Sequence, residues 1–531
     1  MRTSRLPTLV EGRSRLGALA GALASERALW GALLAAAYVA SRLYAAARFP
    51  IFIDEAIHVD WARATADSYP APDAGFDGKW LSVKLFALAT RPAAPFDELV
   101  AARLLVVGLG LTAALACHLV GRDLFSRRAG ALAAALYVAL PFSVIYTSLA
   151  MTDGVQLAFG AWAVFLAVRL ARGGRWPYAA LLPLALAAAV LAKFSGLVLV
   201  ALPAAAVLLL APEGRRAAAA LRALPALLTP VALFAIFYSY DLLQIVKTKA
   251  AENSAGAGGR LWANLASAGG WLWGLLTPGV ALPAAAAFAW LVLARGRRRA
   301  GLFVLTLFGL AVLPFAAVSQ TWYPRYILAA VLPVALAVGR LLDLAAGFAG
   351  RRLRGRPALA AAALPLLVVG VLSWPALRSA EVLFALPDAA LPEAERFQFV
   401  TGWPSGYGVA ELTEFLREQA AATPGGVTVA RTYWADHPLQ SLNIYLTPSP
   451  SLSLFTLADE DEPSALSLRW QSARRRTLLV LTTDHGVPQR LRKAGAPLLK
   501  CARPLWSYTR PGGTTGFAVY ELSCGPAPAA R

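Results

Sequence analysis

Residues 31–60, GALLAAAYVASRLYAAARFPIFIDEAIHVD, decide how this chain is read. An apolar run from Ala32 to Ala40 is followed by Ile51-Phe52-Ile53 and two adjacent acids, Asp54 and Glu55; His58, Asp60, Lys79 and Lys84 come next. The apolar run has the character of a membrane span. Adjacent carboxylates at a membrane surface are costly, so such a pair does chemistry, binds a cation, or binds a polar head group. A plainer reading stands beside these: Asp54 and Glu55 cap a helix that begins near Ala56, because acids favour a helix's first turn.

Similar apolar runs recur through 531 residues that are 58% hydrophobic, each near the ~20 residues that cross a ~30 Å hydrocarbon core. The expected spans are 29–47, 99–120, 129–147, 153–170, 176–194, 195–211, 223–240, 271–294, 300–318, 327–349 and 357–376. The fold class expected is a polytopic α-helical membrane protein with about 11 transmembrane helices. The formal net charge of +20 does not point to nucleic acid, since no basic stripe suited to a groove is present. Most of the arginine flanks apolar runs instead, at Arg13/Arg15, Arg127-Arg128, Arg215-Arg216, Arg297 to Arg299 and Arg351-Arg352. Short arginine-rich loops mark the cytoplasmic side. With the N-terminus inside and an uncleaved first span, every strongly basic short loop falls on that one side, and the C-terminus falls outside.

The opposite side then collects the loop 48–98, the turn Ala150-Met151-Thr152-Asp153, the turn at Lys193, the loop 241–270, and the turn 319–326. From about residue 380 the apolar runs shorten. Val427–Ala430, Leu478–Leu481 and Phe517–Tyr520 read as buried strands, and Gly406-Tyr407-Gly408 precedes a helix over Val409 to Gln419. Two parts are therefore expected: residues 1–378 in the membrane, with the first outer loop carrying the chemistry, and residues 379–531 as an extracytoplasmic α/β domain. No Walker loop, dinucleotide fingerprint, nucleophile elbow or zinc motif occurs in the second part. Of the three cysteines, Cys117 lies in a span, whereas Cys501 and Cys524 are free to pair if their region is extracytoplasmic.

A reaction between a lipid phosphate ester and an acceptor at the membrane surface needs three things. A carboxylate takes a proton from the attacking hydroxyl or orients it. Cations hold the leaving phosphate. An apolar groove holds the lipid, and a lid excludes water. Asp54 and Glu55 suit the first role; Lys79, Lys84, Arg103, Lys193 and Arg325 suit the second; residues 255–259 suit a mobile lid. Each also has a plainer reading: Asp153 as a helix cap, Lys193 as a snorkelling lysine, Arg325 as a partner for lipid phosphate, Trp322 and Tyr323 as interface anchors, and His58 as a supporting residue.

The order of the segments resembles the lipid-linked-sugar glycosyltransferases of the GT-C superfamily, family 39, which includes protein O-mannosyltransferases, with aminoarabinose transferases as close relatives. Ile53-Asp54-Glu55-Ala56 resembles that family's Asp-Glu motif after the first span. Gly78-Lys79-Trp80-Leu81 is similar to its Lys-Pro-Pro-Leu stretch, with Trp80 and Leu81 in place of the proline pair. Arg103-Leu104-Leu105 through Gly121-Arg122-Asp123-Leu124-Phe125 to Gly130 resembles its second and third spans. Ala150-Met151-Thr152-Asp153 resembles its turn before span four, with Ser148 where an arginine is common. Leu191-Ala192-Lys193-Phe194-Ser195-Gly196 resembles its Thr-Lys-Gly turn, and Pro324-Arg325-Tyr326-Ile327-Leu328 its Arg-Tyr-Leu-Leu-Pro segment. The resemblance covers roughly residues 30 to 350 and leaves the C-terminal part unmatched.

The resemblance implies an inverting glycosyltransferase of a bacterial inner membrane. The donor is a polyprenyl-phosphate sugar and the acceptor a protein, lipid or glycan. Asp54 is then the catalytic base with Glu55 beside it, and Lys79, Lys84, Arg103, Asp153, Lys193, Arg325 and Tyr326 bind substrate. It names no required cofactor; a divalent cation held by Asp54, Glu55 and Asp153 stays open, the number of oxygen ligands being unspecified. The other class considered is a transporter or flippase of lipid-linked saccharides, against which stand the absence of an internal repeat and the position of the acids in outer loops.

Overall fold

The computed structural model describes residues 26–66, 78–92, 98–173, 175–253, 257–294, 298–319, 322–353, 355–432, 437–446, 449–457, 467–468, 471–472, 474–483, 500–513 and 515–524. The helices begin with α1 (Glu26–Arg48), α2 (Ile53–Ala66), α3 (Trp80–Thr90), α4 (Glu98–Leu124), α5 (Arg127–Ala139), α6 (Pro141–Tyr146), α7 (Thr152–Gly173), α8 (Trp176–Ala192) and α9 (Leu202–Leu210). They continue with α10 (Arg216–Asn253), α11 (Ala257–Leu276), α12 (Pro278–Leu293), α13 (Arg298–Val318), α14 (Val331–Arg352), α15 (Pro357–Phe384), α16 (Glu393–Arg396), α17 (Val409–Ala422) and α18 (His437–Tyr445). Short 3-10 segments cover Phe194–Ala201 and Pro324–Ala330.

The polytopic helical class holds, but the count of eleven spans is not confirmed. Among the described residues seven helices are long and apolar enough to cross a membrane, or eight if the bent pair α11–α12 is one span. Two expected spans are broken by identifiable residues, and a third stretch divides where a turn is expected. The stretch 129–147 stops at Leu140 because Pro141 pushes its predecessor out of the helical region (ψ 129° at Leu140) and restarts as the six-residue α6. Between the expected spans 176–194 and 195–211 the chain turns at Lys193, which is extended (φ −158°, ψ 128°), and resumes as a 3-10 segment and α9. The stretch 271–294 turns through 120° at Thr277-Pro278, where Thr277 takes a positive φ of 68°. The lid expected at 255–259 lies partly outside the described residues; Ala257 to Gly259 open α11.

The bundle packs on small residues. A Cβ on Gly130 of α5 would fall 2.3 Å from the His118 carbonyl oxygen of α4, an approach open only to glycine. Beyond α15 a five-stranded sheet forms in the order β2-β1-β3-β5-β4. Its strands are β1 (Val427–Thr432), β2 (Leu452–Leu457), β3 (Arg476–Thr482), β4 (Ala502–Thr509) and β5 (Gly516–Leu522). β1 pairs in parallel with β2 and β3, whereas β5 runs antiparallel to β3 and β4. Leu478 and Val480 face one side of β3 and Leu479 and Leu481 the other, and all four are buried, as the continuous apolar run predicts. Cys501 and Cys524 form a disulfide across a sequence separation of 23 residues.

One layer of this sheet is shared with the membrane part. Leu412 and Leu416 of α17, Leu442 and Ile444 of α18, and Val427 and Val429 of β1 bury against a single core with Ala56, Val59 and Ala62 of α2. The helix that starts at the two acids is therefore packed from above by the C-terminal domain.

Candidate active site

The N-terminus of α2 fixes the two acids in opposite ways. With Phe52 as cap, Glu55 is the third helical residue, and its carboxylate reaches back to accept the Phe52 N–H at 3.0 Å, half of a capping box. The same carboxylate accepts the Ala150 N–H at 2.6 Å and two hydrogen bonds from Arg103, Nε at 2.8 Å and Nη2 at 2.7 Å. Arg103 gives its other donors to the carbonyls of Ala46, Phe49 and Pro50. Both side chains are buried, Glu55 at 0% exposure, and their polar atoms are engaged. This corrects two expectations: Glu55 is not free to share a catalytic proton, and Arg103 has no donor left for a phosphate.

Asp54 projects from the same turn into a cluster of cations. Its side chain keeps 21% exposure, and Oδ2 pairs with Arg325 Nη2 at 3.0 Å. Burial pushes the Asp54 carboxyl up, but Arg325, Lys79, His58 and Lys193 together outweigh it and hold the group below its ordinary value. Arg325 lies over the rings of Tyr323 (4.9 Å), Phe52 (5.5 Å) and Tyr326 (5.7 Å), which fix the guanidinium plane. Lys193 donates to Asp153 Oδ1 at 2.6 Å and lies 4.9 Å from the centre of the Tyr326 ring. Lys79 sits 5.3 Å above the Trp61 ring. Lys84 is half-buried on α3.

Local structure brings these distant residues together. Phe194 donates its N–H to Gly78 O (2.7 Å), and Ser82 Oγ donates to Ala192 O (2.8 Å), so the start of α3 is tied to the end of α8. Lys79 and Lys193 thereby reach one cleft. Asp153 and Arg325 also line the mouth of a groove that continues between α7, the 194–201 segment, α13 and α14, past Leu157, Val164, Leu199, Leu307, Phe315 and Leu332. The groove is apolar along its length and charged at one end.

His58 has the supporting place expected of it, whereas Gln398, Tyr146 and Glu395 escaped the sequence reading. His58 donates from Nδ1 to Ala150 O at 3.1 Å, which leaves Nε2 as a buried acceptor with no partner among the described residues. Burial first, and then Lys79, pushes its imidazole down to about 3, so the ring is neutral. Gln398 accepts from Arg325 Nη1 at 2.8 Å, and Tyr146 donates its hydroxyl to Glu395 at 2.7 Å. The available signal was Glu393-Ala394-Glu395-Arg396, an acidic stretch directly beyond the last span. Among the described residues no three of His, Cys, Asp and Glu are grouped so as to hold a metal ion. The carboxylates considered for a cation each face a base: Asp54 faces Arg325, Glu55 faces Arg103, and Asp153 faces Lys193. This pairing does not suit a divalent ion.

A bundle of apolar helices with a polar mouth, capped by a small α/β domain, is a fold this chain shares with solved membrane proteins. Residues 94–240 match the family described as dolichyl-phosphate-mannose-protein mannosyltransferase. The chain is similar to the crystal structure of ArnT from Cupriavidus metallidurans in the apo state, with a TM-score of 0.61 at 16% identity over 95% of this chain and 100% of that one. The same protein bound to undecaprenyl phosphate gives a TM-score of 0.55 at 15% identity, covering 94% of this chain and 99% of that one. The apo oligosaccharyltransferase of Archaeoglobus fulgidus gives 0.50 at 13% identity, over 96% of this chain and 76% of that one. No curated protein matches the sequence.

Proposed function

We propose that this protein is an inverting glycosyltransferase that moves a sugar from a polyprenyl-phosphate donor to an acceptor at the outer face of the membrane. The observation that carries the reading is the placement of Arg325 and the Asp153–Lys193 pair at the charged mouth of the apolar groove, with Asp54 on Arg325. A polyprenyl chain suits the groove, and its phosphate suits the cations. The similarity to ArnT bound to undecaprenyl phosphate supports the same donor class.

In the mechanism, the acceptor hydroxyl gives its proton to Asp54 as its oxygen attacks the anomeric carbon. The bond from that carbon to the phosphate oxygen breaks, and the polyprenyl phosphate leaves with the electron pair. Its new negative charge is met by Lys79, Lys193 and Arg325, preorganised by Tyr326, Tyr323 and Asp153. Asp54 stands ionised at neutral pH, ready to receive the proton. Glu55 and Arg103 hold the turn that carries Asp54. Lys84 is not given a part in this step.

The N-terminus is placed in the cytoplasm and the C-terminal domain outside, in a bacterial inner membrane. Support comes from the arginine-rich loops and from the Cys501–Cys524 disulfide, which suits an oxidising compartment. Two parts, 1–378 and 379–531, are retained as the functional division, with α15 running on to Phe384 as the connection. The acceptor is a protein, a lipid or a glycan. The test is release of polyprenyl phosphate from a panel of labelled polyprenyl-phosphate sugars, with Asp54→Asn alongside wild type. Asp54-dependent release supports the transferase and names the sugar. Donor binding without release or transfer by wild type overturns it and moves a transporter forward.

A further inference from the structure

Between α15 and the C-terminal sheet the chain makes the short α16 and then a single π-helical turn, Phe397–Thr401. Such turns cluster at functional sites, because the extra residue re-aims a side chain. Here two polar side chains turn inward and are buried, Glu395 at 0% and Gln398 at 1% exposure. Burying two polar groups is unfavourable unless they find partners. Glu395 accepts the Tyr146 hydroxyl on both oxygens, at 2.7 and 2.8 Å. Gln398 Oε1 accepts from Arg325 Nη1 at 2.8 Å, on the same guanidinium whose Nη2 holds Asp54.

The amide orientation follows from that bond. A guanidinium has donors only, so the oxygen of Gln398 must face it and the nitrogen must face away. Gln398 Nε2 is then a buried donor with no partner among the described residues. A buried orphan amide beside a cationic cleft points to an oxygen that arrives with a ligand. We infer that Gln398 is a positioning residue of the proposed transfer, holding Arg325 on Asp54 and offering its free N–H to a phosphate oxygen of the donor lipid. The inference rests on the glycosyltransferase reading and gives the segment after the last span a part in it.

The neighbourhood agrees. Burial pushes the Glu395 carboxyl up to about 7, against the lowering influence of Tyr146 and Arg325. With that carboxyl only partly ionised at neutral pH, Arg325 is drawn away from Asp54 by less than a second full negative charge. Phe399, one residue beyond Gln398, packs on Phe52 with ring centres 4.9 Å apart, which ties this turn to the start of α2. The charged groups facing Asp54 are Arg325, Lys79 and Lys193, with the neutral His58 ring beside them. Loosening Arg325 therefore raises the Asp54 pKa. Activity that needs Asp54 ionised is lost as pH falls through that pKa, so the acidic limb of the rate profile moves to higher pH.

The experiment compares full-length wild type, Gln398→Met, Gln398→Glu and Asp54→Asn in the same detergent preparation. Undecaprenyl-phosphate binding is measured by titration, and kcat against pH with the donor found above. Gln398→Met keeps the volume without the polar atoms; Gln398→Glu keeps an acceptor for Arg325 but removes the donor, and covers the case in which the methionine variant does not fold. Loss of a hydrogen bond to a charged group predicts affinity weakened about tenfold and kcat lowered about tenfold or more, with the acidic limb displaced upward. Variants that bind and turn over like wild type with an unmoved acidic limb, while Asp54→Asn is inactive, overturn the inference and leave the glycosyltransferase standing. If wild type transfers nothing, that reading falls by itself, and the affinity comparison alone decides for or against Gln398.

Discussion

Two ion pairs, one buried and one partly exposed, flank the start of α2, and they are built to opposite ends. In the Glu55–Arg103 pair the carboxylate and guanidinium also bind Phe52, Ala46, Phe49, Pro50 and Ala150 through the backbone. The pair is closed, and it knots the end of α1, the start of α2, the second turn of α4 and the turn before α7. In the Asp54–Arg325 pair one carboxylate oxygen meets one guanidinium nitrogen. Lys193 and Lys79 stand nearby with aromatic rings under their ammonium groups. Saturation makes the first a strut, and incompletion leaves the second open for the proposed catalysis. Residues adjacent in sequence thus divide the work, because a helix turns each successive side chain by about 100°.

The largest effect expected from breaking this comparison is on the open side. Asp54→Asn removes the proton acceptor and costs a factor of about 10³ to 10⁴ in kcat, the upper range for a general base. The thermal midpoint stays close to that of wild type. Glu55→Ala does the reverse in kind: it strands a buried arginine, and breaking one partner of such a pair costs about 3–5 kcal/mol of stability. Yield and thermal midpoint report it. The double variant Glu55→Met/Arg103→Met recovers much of the loss, since two apolar groups leave no uncompensated charge. If Glu55→Ala were stable and inactive, the division of labour between the two acids would be wrong.

A smaller effect sharpens the open side. Lys193→Met removes one charge-assisted contact to the leaving phosphate and lowers kcat/KM about 10- to 100-fold. Asp153→Asn acts through the same lysine, so the two together cost much less than their separate losses combined. Additive losses would place Asp153 on a substrate of its own, apart from Lys193.

The sequence made Asp54 legible but could not separate it from Glu55. Both sit in a first helical turn next to basic residues, and only the three-dimensional position of Arg103 and the Ala150 N–H distinguishes them. Lys79, Lys193 and Arg325 were recoverable because each stands in a local turn beside apolar runs. Their convergence was not, since it depends on hydrogen bonds such as Phe194 to Gly78 that join segments more than a hundred residues apart. The count of eleven spans is not confirmed for a related reason. Hydropathy responds to apolar length, whereas Pro141 and Thr277-Pro278 interrupt helices without making them polar. Gln398 carries no local signal: its role comes from a π turn that composition does not encode.

The family match ends at residue 240, short of the C-terminal domain, and contacts made with α2 place that domain against the turn that carries Asp54. The Pro404 carbonyl accepts the Ile53 N–H at 3.2 Å, one residue before Asp54, and also accepts His437 Nε2 at 2.7 Å. A Cβ on Gly406 would fall 1.9 Å from the Ile51 carbonyl oxygen, so the domain's backbone lies directly on the residues leading into α2. Further along α2, Arg63 donates to the carbonyls of Asn443 and Ile444 on α18 and pairs with Glu98. Arg63→Ala cuts this second attachment and leaves the first. The expected cost is about 1–2 kcal/mol in stability with a fall of only a few-fold in kcat, read from thermal midpoint and initial rate. Replacing His437 by Ala loosens the attachment nearer Asp54 and lowers kcat more than Arg63→Ala does at equal loss of stability. A domain that merely folds beside the bundle would show the same ratio of activity to stability at both sites; a domain that seats Asp54 shows a gradient toward Ile53.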